Sequence, residues 1–351
     1  ENHDFGNFHY IAQKFSYLPQ KTVKYAIQHG GIIPFLLIRE FNLILTTSSS
    51  TMLSILKKTT KWKKFGDVTK IHEGIRLAHI QKKIDSNLSP QISVEEYAQL
   101  APSFQKNYIR EVRGKEIQHM MVRSPSQYIA FPDLQHPDVY QQLTQSILLI
   151  RELGKKIHLA YLPKNHTPCI PYGGVYFIRN EDYIRNRSRQ TKDSILLGLI
   201  PYLQSNFFRR LYSYLFGSGA WGSALKFRTT YLSILPFPPI DQMILAKLGG
   251  LFYSVGCLLK QERDSTQLKV QLTQFYTALL PHIADIYIQN KIDGSYSSII
   301  KFLDEILMED VVIPKTYSDS KMEHIYKTNL TIIHRINTTL TKEIKNTEIF
   351  N

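Results

Sequence analysis

Apolar positions change their spacing several times along the chain, and each change predicts an element. "STMLSILKKTTKW" sets Met52, Leu53 and Leu56 at helical spacing. "WKKFGDVTKIHEGIRLAHI", residues 62–80, places Phe65, Val68 and Ile71 ahead of Gly74 and predicts a strand, a glycine turn and a second strand. Residues 85–107 read as an irregular insertion with one short helix at "SVEEYAQLA", where Ser93 caps and Glu96 completes a capping box. "QYIAFP" predicts a strand stopped by Pro132. "SILLIRELGKKIHLAYL", residues 146–162, predicts a hairpin of two apolar runs about Gly154. "GGVYFIRN" predicts a further strand.

Past that strand the period becomes helical. "DSILLGLIPYLQSNFFRRLYSYLF", residues 193–216, spaces Leu, Ile and aromatics as a helix that Pro201 kinks or begins. "GSGAWGS" is a glycine-rich loop, and "FRTTYLSILPFP" reads as a last strand ended by prolines. A long helical pattern follows from Asp241 to Tyr287, with breaks expected near "QERDS" and at Pro281. The pattern predicts an α+β fold: a mixed-sheet domain followed by a long helical C-terminal arm. Residues 1–60 are expected to be a connector, 61–240 the mixed-sheet domain and 241–351 the helical region.

Charge sharpens this division. The 351-residue chain carries a formal net charge of +14. Residues 61–240 hold 25 Lys and Arg against 13 Asp and Glu, a surplus of 12, while residues 241–351 are close to neutral. A localised surplus points to a face for a polyanion. Two cysteines, Cys169 and Cys257, exclude a disulfide framework and a multi-cysteine zinc site, and fit a reducing, cytoplasmic setting. No charge-free apolar run of about 18 residues occurs, so no membrane span is expected. The opening "ENHDFGNFHY" does not read as a signal peptide.

Several catalytic motifs are missing. No Gly-x-Gly-x-x-Gly follows a strand, and neither a Gly-x-x-x-x-Gly-Lys-Ser/Thr loop nor a Gly-x-Ser-x-Gly elbow occurs. "FPPI", residues 237–240, lacks the polar first residue and aromatic last residue of an amino-methyltransferase motif, so its prolines read as structural. Pro132-Asp133 followed by Glu152-Leu-Gly-Lys155 approaches a Mg-dependent endonuclease arrangement built on Asp133, Glu152 and Lys155. Its second half is one residue too long for Glu and Lys to share a strand face. His119, His136, His158 and His166 show no i, i+4 pairing and read as polar residues rather than metal ligands.

The strongest local signal is "YFIRNEDYIRNRSRQTK", residues 176–192. Arg179, Arg185, Arg187, Arg189 and Lys192 interleave there with Tyr176, Phe177 and Tyr183. Arginine forks pair with phosphate or with the guanine edge, and aromatics stack on bases. Arg76, Lys82 and Lys83 in "RLAHIQKK" and the segment "RSPSQY" are secondary candidates, followed by Lys155, Lys156 and Lys164. None of these residues is expected to be a catalyst.

Four stretches in order carry a family resemblance: "WKKFGDVTKIHEGIR", "SILLIRELGKKIHLAY", "GGVYFIRNED" with the apolar helix to "GSGAWGS", and "YLSILPFPPIDQ". Over about residues 40–290 the chain resembles the target-recognition domain of type IIG and TaqI-like adenine-specific DNA methyltransferases of bacterial restriction–modification systems. Where that family reads Leu-Asn-Ser, this chain has Leu203-Gln204-Ser205. The resemblance implies sequence-specific binding of double-stranded DNA. It also implies a methyltransferase domain or subunit as partner, with the connector over residues 1–60 either the tail of a catalytic half absent here or an adaptor to it. No cofactor is expected in this chain, and S-adenosylmethionine is expected only on the associated methyltransferase domain. A helical interaction scaffold without specific DNA binding is the remaining alternative.

Overall fold

The computed structural model of the chain describes residues 50–76, 88–131, 133, 136–180, 192–216, 225–261, 266–313 and 322–344. The expected "GSGAWGS" loop and the basic segments 77–87 and 181–191 lie outside these residues. The fold is α+β. Helix α1 (Ser50–Thr59) and a single helical turn, α2 (Phe65–Val68), open it. This turn replaces the strand expected at Phe65. Phe65 and Val68 are three apart, a helical spacing, and the turn buries both. Lys64 N donates to the Asp67 carboxylate at 2.9 Å, and the Phe65 ring packs on Tyr202 and Phe237.

Two four-stranded sheets follow. The first contains β1 (His72–Glu73), β7 (Ile147–Arg151), β9 (Leu159–Leu162) and β11 (Val175–Arg179), ordered β1-β11-β7-β9 and antiparallel throughout. Its centre is the expected hairpin, paired Ile147 to Leu162 and Ile150 to Leu159. The second contains β2 (Gln91–Ser93), β3 (Tyr108–Val112), β6 (Gln127–Ala130) and β10 (Cys169–Pro171), with β10 parallel to β3. Two ribbons complete the strands: β4 (Ile117–Gln118) with β5 (Met121–Val122), and β8 (Leu153–Gly154) with β12 (Leu225–Lys226). After β2, α3 (Val94–Gln99) has the expected capping box, with Glu96 N donating to Ser93 Oγ and Ser93 N to the Glu96 carboxylate. Short helices α4 (Pro102–Gln105) and α5 (Pro137–Leu143) connect the strands.

Both faces of the first sheet are buried, which explains its near-continuous apolar runs. Leu148, Ile150, Leu159, Tyr161, Tyr176 and Ile178 face the helices. Alternate residues Ile147, Leu149, Ala160, Leu162, Val175 and Phe177 pack on Val112, Ile117, Val122 and Cys169.

The helical half begins with α6 (Lys192–Gln204) and α7 (Asn206–Phe216). Pro201 stays inside α6, and the break falls at Ser205. Ser205 Oγ accepts from Phe208 N at 3.0 Å. Asp285 accepts from Phe207 N at 2.8 Å and from Asn206 Nδ2 at 2.9 Å, so the start of α7 is capped from two sides. The strand expected at "FRTTYLSILPFP" is instead α8 (Thr229–Ile234). Among the described residues its β-prone side chains find no partner strand, and Pro236 alone of this stretch makes a bridge, to Lys64. Then come α9 (Gln242–Gln261), α10 (Thr266–Gln274), a π-helical turn at Phe275–Leu279, α11 (Leu280–Asp293), α12 (Ser297–Asp310) and α13 (Met322–Ile344). The turn sits just ahead of Pro281, where the absent N–H interrupts the ladder.

Helix α9 is the centre of the molecule, buried almost all round from Ile244 to Leu258. It is the one described helix with the length and apolarity of a membrane span, and 78% of that window is covered by the rest of the chain. Its closest partner is α6. Pro201 cannot donate to the carbonyl four residues back, that of Leu197. Gly249 fills this gap: a Cβ there would lie 2.0 Å from Leu197 O. One apolar cluster runs from Leu56 to Leu340 without interruption at residue 240. Asn329, fully buried, ties α13 to α9 by donating to Ser254 Oγ at 2.9 Å, and to the chain after α12 by donating to Val312 O at 2.9 Å and accepting from Val312 N.

Gly249→Ala is expected to destabilise the fold by at least about 2 kcal/mol, because both near atoms are backbone. Gly250→Ala, whose Cβ would meet nothing closer than 3.8 Å, is expected to be neutral or stabilising by up to about 1 kcal/mol. Denaturant unfolding of the two variants checks the pair. Asn329→Leu is expected to cost roughly 1–3 kcal/mol by stranding the Val312 groups.

Candidate nucleic-acid interface

The described candidate cations gather at the two ends of the first sheet. Ile75 bridges Tyr172, and Gly74 N donates to Val175 O. Exposed Arg76 therefore sits at the end where Val175 pairs with Arg151. The β7–β9 turn brings Lys155, exposed, and Lys156, half-buried, to that same end. At the other end, Arg179 pairs in register with Ile147 and Ile147 with Leu162, two residues before exposed Lys164. Arg179 lies over the Phe177 ring at 5.2 Å. Four strand steps of about 3.3 Å set the ends roughly 13 Å apart. Arg185, Arg187, Arg189, Lys82 and Lys83 lie outside the described residues, as does the side chain of Lys192 at the start of α6.

The endonuclease residues do not converge. Glu152 accepts from Tyr176 OH at 3.1 Å and pairs with Lys226 Nζ at 3.1 Å. Asp133 is exposed beyond β6, in the second sheet. Among the described residues no three of His, Cys, Asp and Glu form a group that could hold a metal. His166 is enclosed by the Thr167 and Gln145 carbonyls. Both cysteines are free and buried, and burial pushes each thiol up to about 12, far from a reactive thiolate.

The turn end of the sheet also holds a cluster that spacing alone does not reveal. His119 and Met120 are both left-handed, with φ of 48° and 64°. Met120 is pinned to β9, its N–H donating to Leu159 O and its carbonyl accepting from Tyr161 N. Gly256 of α9 closes on the same carbonyl turn: a Cβ there would lie 2.2 Å from His119 O. This clamp brings His119 beside His158. Burial, then Arg151, Lys156 and His119, lower the His158 imidazole to about 4. His119 is lowered by burial, then by Lys156 and Arg123. Lys156 is lowered by burial and then by Arg209. The charged neighbours that lower these three groups, Arg123, Arg151, Lys156 and Arg209, are all positive.

Lys156 and Arg209 line one pocket of about 60 Å³, with Gln204, Ser205, Asn206, Phe208, Phe227, Tyr276 and Thr277 around it. It lies where the hairpin turn meets the α6–α7 break, and Gln204 Nε2 reaches Ile157 O at 3.4 Å. Leu203-Gln204-Ser205, the triplet at the Leu-Asn-Ser position of the resemblance, thus forms part of its wall. No protein-family model matches the chain, and no curated protein matches it.

Sequence reasoning singled out Lys156 but not Arg151 or Arg209, and weighed His119 and His158 only as metal ligands. The period-2 run of β9 placed His158 next to a buried strand. Nothing in the sequence around His119 signals a left-handed backbone, because neither it nor Met120 is glycine.

The neutral His158 ring makes stability acid-sensitive. The unfolded chain protonates it near 6.5, so its contribution is complete above that pH and is lost as pH falls toward about 4. Unfolding free energies from pH 7.5 down to 4.5 should fall less steeply in His158→Gln than in the parent chain.

Proposed function

We propose that this chain recognises double-stranded DNA sequence-specifically, as the specificity part of a bacterial restriction–modification adenine methyltransferase. The observation that carries DNA binding is the grouping of cations at both ends of one rigid sheet: Arg76, Arg151, Lys155 and Lys156 at one, Lys164 and Arg179 at the other. The backbone of Arg151 and that of Arg179 lie roughly 13 Å apart along the sheet, of the order of the major-groove width of about 12 Å, and the other cations extend beyond these two ends. Cations so spaced reach phosphates on both walls of a groove and position the chain, leaving base edges to nearby side chains. The segment 181–191 continues directly from Arg179 and supplies Arg185, Arg187 and Arg189 for that readout.

The restriction–modification setting rests on the ordered resemblance of the four stretches. In this reading the chain supplies no catalyst. S-adenosylmethionine and base flipping belong to the methyltransferase partner, and the complex works in the cytoplasm. Burial of both cysteines as free thiols suits a reducing compartment.

Selection from a randomised duplex library at two salt concentrations tests this reading. A short motif should be enriched, with affinity falling steeply as salt rises. Lys155→Gln and Arg179→Gln should each reduce the salt slope by about 1. Binding without enrichment would remove the specificity claim, and no binding at all would remove the DNA reading.

A further inference from the structure

The pocket at the α6–α7 break is an electrostatic anomaly. Lys156, half-buried, and Arg209 share a concavity of about 60 Å³, and like charges so placed repel unless an anion lies between them. Arg151 and Arg123 extend the same sign around the neutral His158 and His119 rings beside Lys156. Asp285 reaches the rim at Asn206, and its carboxylate is engaged by Phe207 N and Asn206 Nδ2 and faces Arg210. Glu152, beside Arg151, is held by Tyr176 and Lys226. No described carboxylate therefore closes the charge balance at Lys156.

We propose that this pocket seats a single phosphoryl group between Lys156 and Arg209. Its volume suits one tetrahedral oxyanion, and the ammonium and guanidinium supply charge-assisted donors from two sides. Gln204 and Asn206 add amide groups to the rim. The buried tyrosine and phenylalanine rings of the wall, Tyr276, Phe208 and Phe227, limit competing water. The left-handed His119–Met120 turn, held by β9 and Gly256, fixes the imidazole cluster behind Lys156.

A proton linkage follows. An oxyanion in the pocket favours the charged forms of Lys156, His158 and His119, each of which is disfavoured in its absence. Binding is therefore linked to proton uptake by these groups, and affinity rises as pH falls. Where the DNA reading holds, the phosphoryl group is a backbone phosphodiester; otherwise it belongs to a small phosphorylated molecule. The chemistry recognised is the same.

The test is calorimetric titration of the full chain with inorganic phosphate, and with sulfate, whose charge is constant between pH 6 and 8. Parallel runs in two buffers of different ionisation enthalpy count the protons taken up. The expected result is saturable one-to-one binding, tighter at pH 6 than at pH 8, with proton uptake. Lys156→Met and Arg209→Gln should each weaken it at least about tenfold, and Lys301→Gln, an exposed change on α12, should not. Arg209 is exposed, so its substitution reports on the site without threatening the core. Absence of saturable binding, or binding undiminished in both pocket variants, overturns the proposal. Displacement of sulfate by a short duplex identifies the backbone as the source. If the duplex binds nowhere while sulfate still binds, the DNA reading fails and the pocket stands.

Discussion

Two glycines on one face of a buried helix set the geometry of the molecule. Gly249 and Gly256 are seven residues apart on α9, so they share a face. Gly249 closes on the Leu197 carbonyl that Pro201 leaves without a helical donor, and Gly256 closes on the carbonyl of His119. Any side chain at either position would force α9 away from backbone that cannot yield. The first contact seats α6, and with it the break at Ser205. The second seats the left-handed turn that carries His119 to His158. The pocket wall and the imidazole cluster behind it are thus held by the same helix.

The first sheet transmits this placement to the surface. Helices cover one of its faces and the second sheet the other, so its strands cannot slip without exposing a full apolar row. Its ends are consequently rigid mounts for charge. The helices after residue 240 complete this core instead of standing apart from it: Asn329 ties α13 to α9 through Ser254 and to the chain after α12 through both backbone groups of Val312. The surplus charge of the middle segment is displayed on a scaffold that the C-terminal helices stabilise.

Much of this was legible in the sequence. The hairpin at 146–162 was readable because both its faces are apolar and its turn carries glycine. The capping box at Ser93 and Glu96 was readable because the spacing is local. The segment "FRTTYLS" misled because its β-branched and aromatic residues favour strands, while only tertiary packing decides that no strand lies beside them. Phe65 misled because the run reads as a strand although Phe65 and Val68 are three apart, which a helical turn buries together and a strand puts on opposite faces. The pocket was not legible at all: Lys156, Arg209 and His119 are distant in sequence, and a left-handed histidine leaves no local mark. Pro201 marked a break four residues early: the helix continues through it to Ser205, with Gly249 of α9 packed against the Leu197 carbonyl that it leaves without a helical donor.

In the proposed reading both ends of the first sheet face one duplex. Lysine-labelling footprints of the chain, free and bound to duplex DNA, test it directly when read residue by residue by mass spectrometry. The account predicts joint protection of Lys155 and Lys156 at one end and Lys164 at the other, with Lys301 and Lys327 on the helical side unchanged. Protection of only one end, or of the helical side instead, would contradict it.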